Sequence, residues 1–143
     1  MLSNLPSQST EKSQNQYQPL VLIVDNDKDN LLFASCVIES LGMRYVVTND
    51  SEECLNLVYE LLPDIILLDI VMPKLNGIDI TRLIKSNKLI SHIPIIAVTG
   101  LTKPDDKNNL LEAGCDDYLC KPYMIKDLES KIFRHLKCLL AET

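Results

Sequence analysis

The sequence predicts a doubly wound α/β domain: a five-stranded parallel sheet of order 2-1-3-4-5 with five helices on its two faces. Three observations carry that expectation. Short apolar runs of four or five residues recur without alternation, which suits strands covered on both sides. Stretches of helical period separate them, so strand starts fall roughly 20 to 30 residues apart, the spacing of a βα repeat. Right-handed crossovers then restrict the topology, and an open sheet of this kind commonly takes the order 2-1-3-4-5.

Each element has its own warrant. Residues 1–18 are rich in Ser, Gln and Asn and nearly free of branched aliphatics, and read as a disordered tail before a domain over 19–143. "LVLIV" (20–24) is the first strand, followed by a helix over 28–41 with Leu31, Ser35, Ile38 and Leu41 on one stripe. "RYVVT" (44–48) is the second strand. Asp50 with Glu53 reads as a capping box opening a helix through Glu60. "DIILLD" (64–69) is the third strand, and a helix over 78–86 groups Ile80, Leu83 and Ile84. "IPIIAVT" (93–99) is the fourth. Pro104 opens a helix that Gly114 stops after Ala113. "DYLC" (117–120) is the last strand, and a helix over 125–140 aligns Ile125, Leu128, Ile132, Leu136 and Leu139.

Composition narrows the function. At 143 residues the chain has room for one domain, and 46% hydrophobic with 24% charged residues fits a globular core. A net charge of −6 argues against nucleic acid as a direct partner. Lys126, Lys131, Arg134 and Lys137 are interleaved with Asp127, Glu129 and Glu142, which reads as a solvated helix face. No apolar run approaches the roughly 18 residues that cross a bilayer, and no signal peptide opens the chain, so a cytoplasmic protein without membrane contact is expected. Five cysteines at unpatterned spacings read as small buried hydrophobes with inert thiols.

The strand ends carry the chemistry. In a 2-1-3-4-5 sheet, strands 1 and 3 are neighbours about 4.8 Å apart and the chain reverses direction beside them. Asp25 and Asn26 end the first strand, Asp69 the third, Thr99 the fourth, and Lys121 with Pro122 the fifth. Carboxylates gathered in one pocket raise each other's pKa unless a cation joins them. Mg²⁺ suits one or two carboxylates plus waters and a phosphate, and Lys121 adds a fixed positive charge.

"VLIVDND", "PDIILLDIVMPKLNG", "PIIAVTG" and "GCDDYLCKPY" together resemble the receiver domains of two-component response regulators, across about residues 19–140. The resemblance implies a flavodoxin-like fold and a stand-alone regulator similar to the chemotaxis-type receivers. It implies that Asp69 accepts a phosphoryl group from a phosphohistidine of a sensor histidine kinase or phosphotransfer protein. Asp25, Asn26, Asp69 and the Val71 backbone carbonyl would hold Mg²⁺. Thr99 and Lys121 would engage phosphoryl oxygens, Pro122 would follow a cis peptide, and Tyr118 would turn inward as Thr99 is engaged. The output would run through the fourth helix, fifth strand and fifth helix to a downstream effector protein, with the regulator a monomer or a weak phosphorylation-linked dimer. It would catalyse only its own phosphorylation and dephosphorylation. Apolar residues at Val71 and Leu101 imply a long-lived acyl phosphate.

The chemistry fits these residue types on its own terms, because phosphoryl transfer asks mainly for positioning and charge neutralisation. Gly100 leaves room beside Thr99, and Gly77 lets the loop after Pro73 turn into its helix. Asn26 departs from the family pattern, where an acid usually stands. An amide oxygen can ligate but brings no charge, so weaker Mg²⁺ binding is expected, with Asp27 either compensating or only capping the first helix. Three alternatives compete. A degenerate receiver would act as a phosphorylation-independent interaction module, with Asn26 as the feature in its favour. A flavin carrier would want a neutral phosphate loop where "DNDKDN" is acidic. An aspartyl-phosphate phosphatase would want Asp where Val71 stands. His92 and His135 read as surface residues, Met72 and Pro73 as a loop leaving Asp69, and Asp116 and Asp117 as turn or solvated positions.

Overall fold

A computed structural model of the chain describes residues 17–100 and 104–141, the side chains of 137–141 excepted. Most of the expected tail, Leu101, and the side chains of Lys137, Cys138, Leu139 and Glu142 lie outside the described residues. Five parallel strands stand in the order β2-β1-β3-β4-β5: β1 (Leu20–Val24), β2 (Arg44–Thr48), β3 (Ile65–Asp69), β4 (Ile95–Thr99) and β5 (Asp117–Cys120). Between them lie α1 (Lys28–Ser40), α2 (Ser51–Leu61), α3 (Gly77–Lys85), α4 (Pro104–Ala113) and α5 (Ile125–Ala141). No described helix is long and apolar enough to cross a membrane.

The unalternating runs are explained by two cores, one on each face of the sheet. Because successive strand residues point to opposite faces, Leu22, Val24, Ile66, Leu68, Ile95 and Ala97 pack with Val58 of α2, Ile80 and Ile84 of α3 and Leu110 of α4. Their neighbours Val21, Ile23, Ile65, Leu67, Ile96 and Val98 pack with Val37 and Ile38 of α1 and with Leu128, Ile132 and Leu136 of α5. Two members of the expected stripes are exposed, Leu83 between the buried Ile80 and Ile84 and Ile125 at the start of α5, and in α3 the buried position is filled by Thr81, whose hydroxyl donates to the Gly77 carbonyl at 2.7 Å.

Asp50 does cap α2, accepting from the N–H groups of Glu52 and Glu53, but the reciprocal arm of the expected box is absent. Glu53 accepts instead from the Thr48 hydroxyl, and that hydroxyl in turn accepts the Asp50 N–H at 3.1 Å. Gly114 stops α4 with a φ of +112, the left-handed region that favours glycine. The cysteines divide: Cys54 and Cys115 are buried, burial pushing the Cys54 thiol up to about 12, whereas Cys36 is exposed, contrary to the expectation of uniformly buried thiols.

Asp117, His135 and the basic residues of α5 also depart from expectation. Asp117 is buried within β5 and gathers three side chains of α5: Lys131 Nζ at 2.7 Å, His135 Nε2 at 2.9 Å and Arg134 at 3.1 Å. The stripe at 131, 134 and 135 is therefore the docking seam that holds α5 to the sheet edge, and His135 is not a surface histidine. His92 is exposed. Burial alone would raise the Asp117 carboxyl, but the bonds from Lys131, His135 and the Tyr118 N–H outweigh it and hold it at about 2. A carboxylate depressed in this way stabilises the fold above its unfolded pKa, and the contribution is lost as pH falls from about 4 to about 2. Asp117→Asn is expected to cost about 2 kcal/mol at pH 7, and the gap to the parent protein should close as pH falls toward 2. Thermal melts across that range check it; a pH-independent gap counts against the cause given.

Candidate functional site

The register brings the polar strand ends together. Val24 pairs with Leu68, so Asp25, one residue beyond β1, stands beside Asp69 at the end of β3. Asp69 pairs with Val98, so Thr99 follows on β4, and Thr99 pairs with Cys120, so Lys121 closes the row. The Lys121 N–H donates to the Thr99 carbonyl at 2.7 Å, and the Lys121–Pro122 peptide is cis.

Lys121 Nζ bridges the two carboxylates, 3.2 Å from Asp25 Oδ2 and 3.3 Å from Asp69 Oδ2. Both acids are buried, 5% and 4% exposed, which makes an unpaired charge costly there. Each also accepts a backbone N–H two residues on: Asp25 Oδ1 from Asp27 at 2.9 Å and Asp69 Oδ1 from Val71 at 3.3 Å. Burial first, then the adjacent Asp25 charge, pushes the Asp69 carboxyl above its ordinary range, against the opposing pull of Lys121 and the Val71 N–H. Thr99 is fully buried at the end of its strand.

The donor set fits Mg²⁺ on chemical grounds. Among the described residues no three His, Cys, Asp or Glu side chains cluster tightly enough to cage a metal alone. The two carboxylates would be joined by neutral oxygens, the Asn26 amide and the Val71 carbonyl, an oxygen set of the kind that Mg²⁺ takes together with waters. Asn26 and Val71 are both exposed at the mouth of the site. Asp27 caps α1, its Oδ1 accepting from Asp29 N at 2.8 Å and Asn30 N at 3.2 Å.

Gly77 is required for a reason other than the freedom expected of it. A Cβ there would lie 2.7 Å from Ile70 Cα and 2.9 Å from the Asp69 carbonyl oxygen. Around Gly100 nothing stands within 4 Å of such an atom. Tyr118 is half-buried between two ammonium groups, Lys107 Nζ of α4 at 5.2 Å and Lys131 Nζ of α5 at 5.5 Å from its ring centroid. Sequence reasoning also missed Tyr123, which meets Phe33 with ring centroids 5.7 Å apart and lines, with Asn30, Phe33, Lys121 and Pro122, a pocket of about 490 Å³ against the site. Burial and then the Asp25 charge push its phenol up to about 12.

Comparison with known proteins gives a consistent result. The family model described as the response regulator receiver domain matches residues 21–133. The chain is 38% identical over 112 residues to the probable transcriptional regulator ycf27 of Guillardia theta, covering 78% of this chain but only 43% of that protein. It is 33% identical over 105 residues to the polar-differentiation response regulator DivK of Brucella ovis, 73% of this chain and 85% of that one. In structure it is similar to the receiver domain of the sensor histidine kinase PA1611 of Pseudomonas aeruginosa, described with a magnesium ion coordinated in its active-site cleft. The TM-score is 0.78 at 29% identity, over 85% of this chain and 99% of that one. With the sheet order, the row of strand-end residues and these matches in agreement, the chain belongs to the response regulator receiver domain family.

Proposed function

We propose that this receiver takes a phosphoryl group onto Asp69, in a Mg²⁺-dependent reaction, from a phosphohistidine of a sensor histidine kinase or phosphotransfer protein in the cytoplasm. The observation that carries the reading is the Lys121 ammonium, within 3.3 Å of both buried carboxylates. An Asp69 oxygen attacks phosphorus in line, the P–N bond breaks, and its electron pair leaves with the imidazole. Lys121 exchanges its contact with Asp69 for one with a phosphoryl oxygen, so the charge it neutralises moves with the reaction. Asp25, Asn26, Asp69 and the Val71 carbonyl would hold Mg²⁺, which when bound supplies charge neutralisation shared with the phosphoryl oxygens. The Thr99 hydroxyl donates to another phosphoryl oxygen.

Signalling then follows as a population shift. Drawing Thr99 toward the phosphoryl group opens space for Tyr118, whose inward turn gives up the flanking ammonium groups of Lys107 and Lys131. Those lysines lie on α4 and α5, so the face formed with β5 changes its charge pattern and is what a downstream effector protein reads.

The test is incubation with acetyl phosphate and Mg²⁺, followed by borohydride trapping and peptide mass spectrometry. A single acyl phosphate on Asp69, absent when the metal is chelated, is expected. No labelling, with partner binding intact, would favour a phosphorylation-independent interaction module instead. Asn26→Asp is expected to tighten Mg²⁺ binding roughly tenfold, the equivalent of about 1.4 kcal/mol, since it adds the missing charge. Titration of the two proteins side by side reads this, and equal affinities would show that the amide is not the weak element.

A further inference from the structure

The loop between Asp69 and α3 is held at three places. Its base is closed where the Gly77 N–H donates to the Ile70 carbonyl at 2.8 Å and the Ile70 N–H to Val98 at 3.1 Å. Its middle is sunk by Met72, 7% exposed in the core beneath α2 and α3. Its tip is held by a residue of α2. The Ser51 hydroxyl donates to the Pro73 carbonyl at 3.1 Å and accepts the Leu75 N–H at 3.2 Å. Ser51 is 1% exposed, so water does not compete for either bond.

A second link joins the same elements: Lys74 Nζ lies 3.6 Å from Glu52 and 3.9 Å from Asp50. Those side chains are 41% to 65% exposed, and ion pairs so solvated contribute little. The buried hydroxyl, acting as donor and acceptor at once, is the stronger of the two fastenings. Lys74 itself sits at a φ of +68, a conformation a non-glycine residue holds only when its surroundings impose it. The Ser51 bonds fall on either side of that residue.

We infer that Ser51 is a positioning residue for the metal site: by stapling the tip of this loop it fixes the direction of the Val71 carbonyl and thereby sets the affinity for Mg²⁺. This rests on the reading of Val71 as a ligand. Val71 is two residues from Pro73, is 63% exposed, and its own N–H bond to Asp69 is long at 3.3 Å. The direction of its carbonyl follows the course of the loop that these fastenings set, and partners that orient a ligand typically matter 10- to 100-fold to metal affinity.

The experiment compares the parent protein, Ser51→Ala and Lys74→Ala by Mg²⁺ titration calorimetry and by amide hydrogen exchange with and without the metal. Ser51→Ala is expected to raise the Kd for Mg²⁺ about tenfold and to speed exchange at the Leu75 amide, with the sheet amides unchanged. Lys74→Ala is expected to leave the Kd within twofold. If the parent binds no Mg²⁺ saturably, the metal reading itself fails. If the parent binds and Ser51→Ala binds equally well, the staple has no bearing on the site and the inference is overturned. A weaker Kd with an unaltered Leu75 amide, or with general loss of sheet protection, overturns it too, because the effect would not travel through the loop.

Discussion

Asp69→Asn is expected to raise the melting temperature of the metal-free protein while abolishing phosphoryl uptake from acetyl phosphate. The two effects have one origin. Asp69 is 4% exposed and stands beside the buried Asp25, so its ionised form is held in place at a cost. Lys121 offsets part of that cost, but the carboxyl remains above its ordinary range, which shows that burial and Asp25 win. A carboxyl raised in the folded state destabilises the fold once pH exceeds the unfolded pKa, and contributes nothing below it. An amide removes the charge, can still accept the Val71 N–H, and leaves the Lys121–Asp25 pair at 3.2 Å intact. A gain of about 1 kcal/mol, a few degrees in Tm, is in the range of such relief. It should be present at pH 7, shrink toward pH 4, and narrow when Mg²⁺ is added, since the metal stabilises the parent by mass action and the variant less. Calorimetry at two pH values with and without EDTA reads all three. A variant less stable than the parent at pH 7 without metal would mean that the Lys121 bridge outweighs the burial cost.

The fold and the row of strand ends were legible because both depend on local pattern. Unbroken apolar runs mark strands covered on two faces, and a βα repeat with right-handed crossovers leaves few orders for the sheet. Asp25, Asp69, Thr99 and Lys121 then meet because each is the polar residue on which a strand ends. What escaped the sequence depends on contacts between distant positions. Asp117 lies next to Asp116 and looks like a turn, and only the docking of α5 shows that positions 131, 134 and 135 converge on it. The spacing of those three along one helical face was the available signal, obscured by the acidic residues Asp127 and Glu129 in the turn before them. Ser51 left no signal, because its partners are backbone atoms 22 and 24 residues away. Ile125 fits its helical stripe by period yet is exposed as the first residue of α5, and Leu83 lies beside rather than within the buried face of α3, which Gly77, Ile80, Thr81 and Ile84 form.

Gly77→Ala is expected to be the most damaging small substitution in the site, costing about 3 kcal/mol. The usual argument for glycine, a left-handed backbone, does not apply, since Gly42 and Gly114 are the described glycines with positive φ. The constraint at Gly77 is contact. Its N–H donates to the Ile70 carbonyl at 2.8 Å, drawing the first turn of α3 onto the end of β3. An added methyl would stand 2.7 Å from Ile70 Cα and 2.9 Å from the Asp69 carbonyl oxygen, backbone atoms of the last residue of β3 and of the residue that follows it. Overpacking against side chains typically costs 1–3 kcal/mol, and a backbone wall belongs at the upper end because it has no rotamer to change. Relief can come only by lifting α3 or bending the end of β3, and either movement displaces the Asp69 carboxylate from Lys121. Stability and phosphoryl uptake should therefore fall together. Gly42→Ala separates the two kinds of glycine: nothing lies within 4 Å of its added atom, and with a φ of +78 it should cost about 1 kcal/mol through backbone strain alone, with uptake unchanged. Urea unfolding of both variants, alongside acetyl phosphate labelling, makes the comparison. A Gly77→Ala protein within 1 kcal/mol of the parent would mean that the turn after Asp69 can yield, and that α3 is not what holds the phosphoryl-accepting strand end in place.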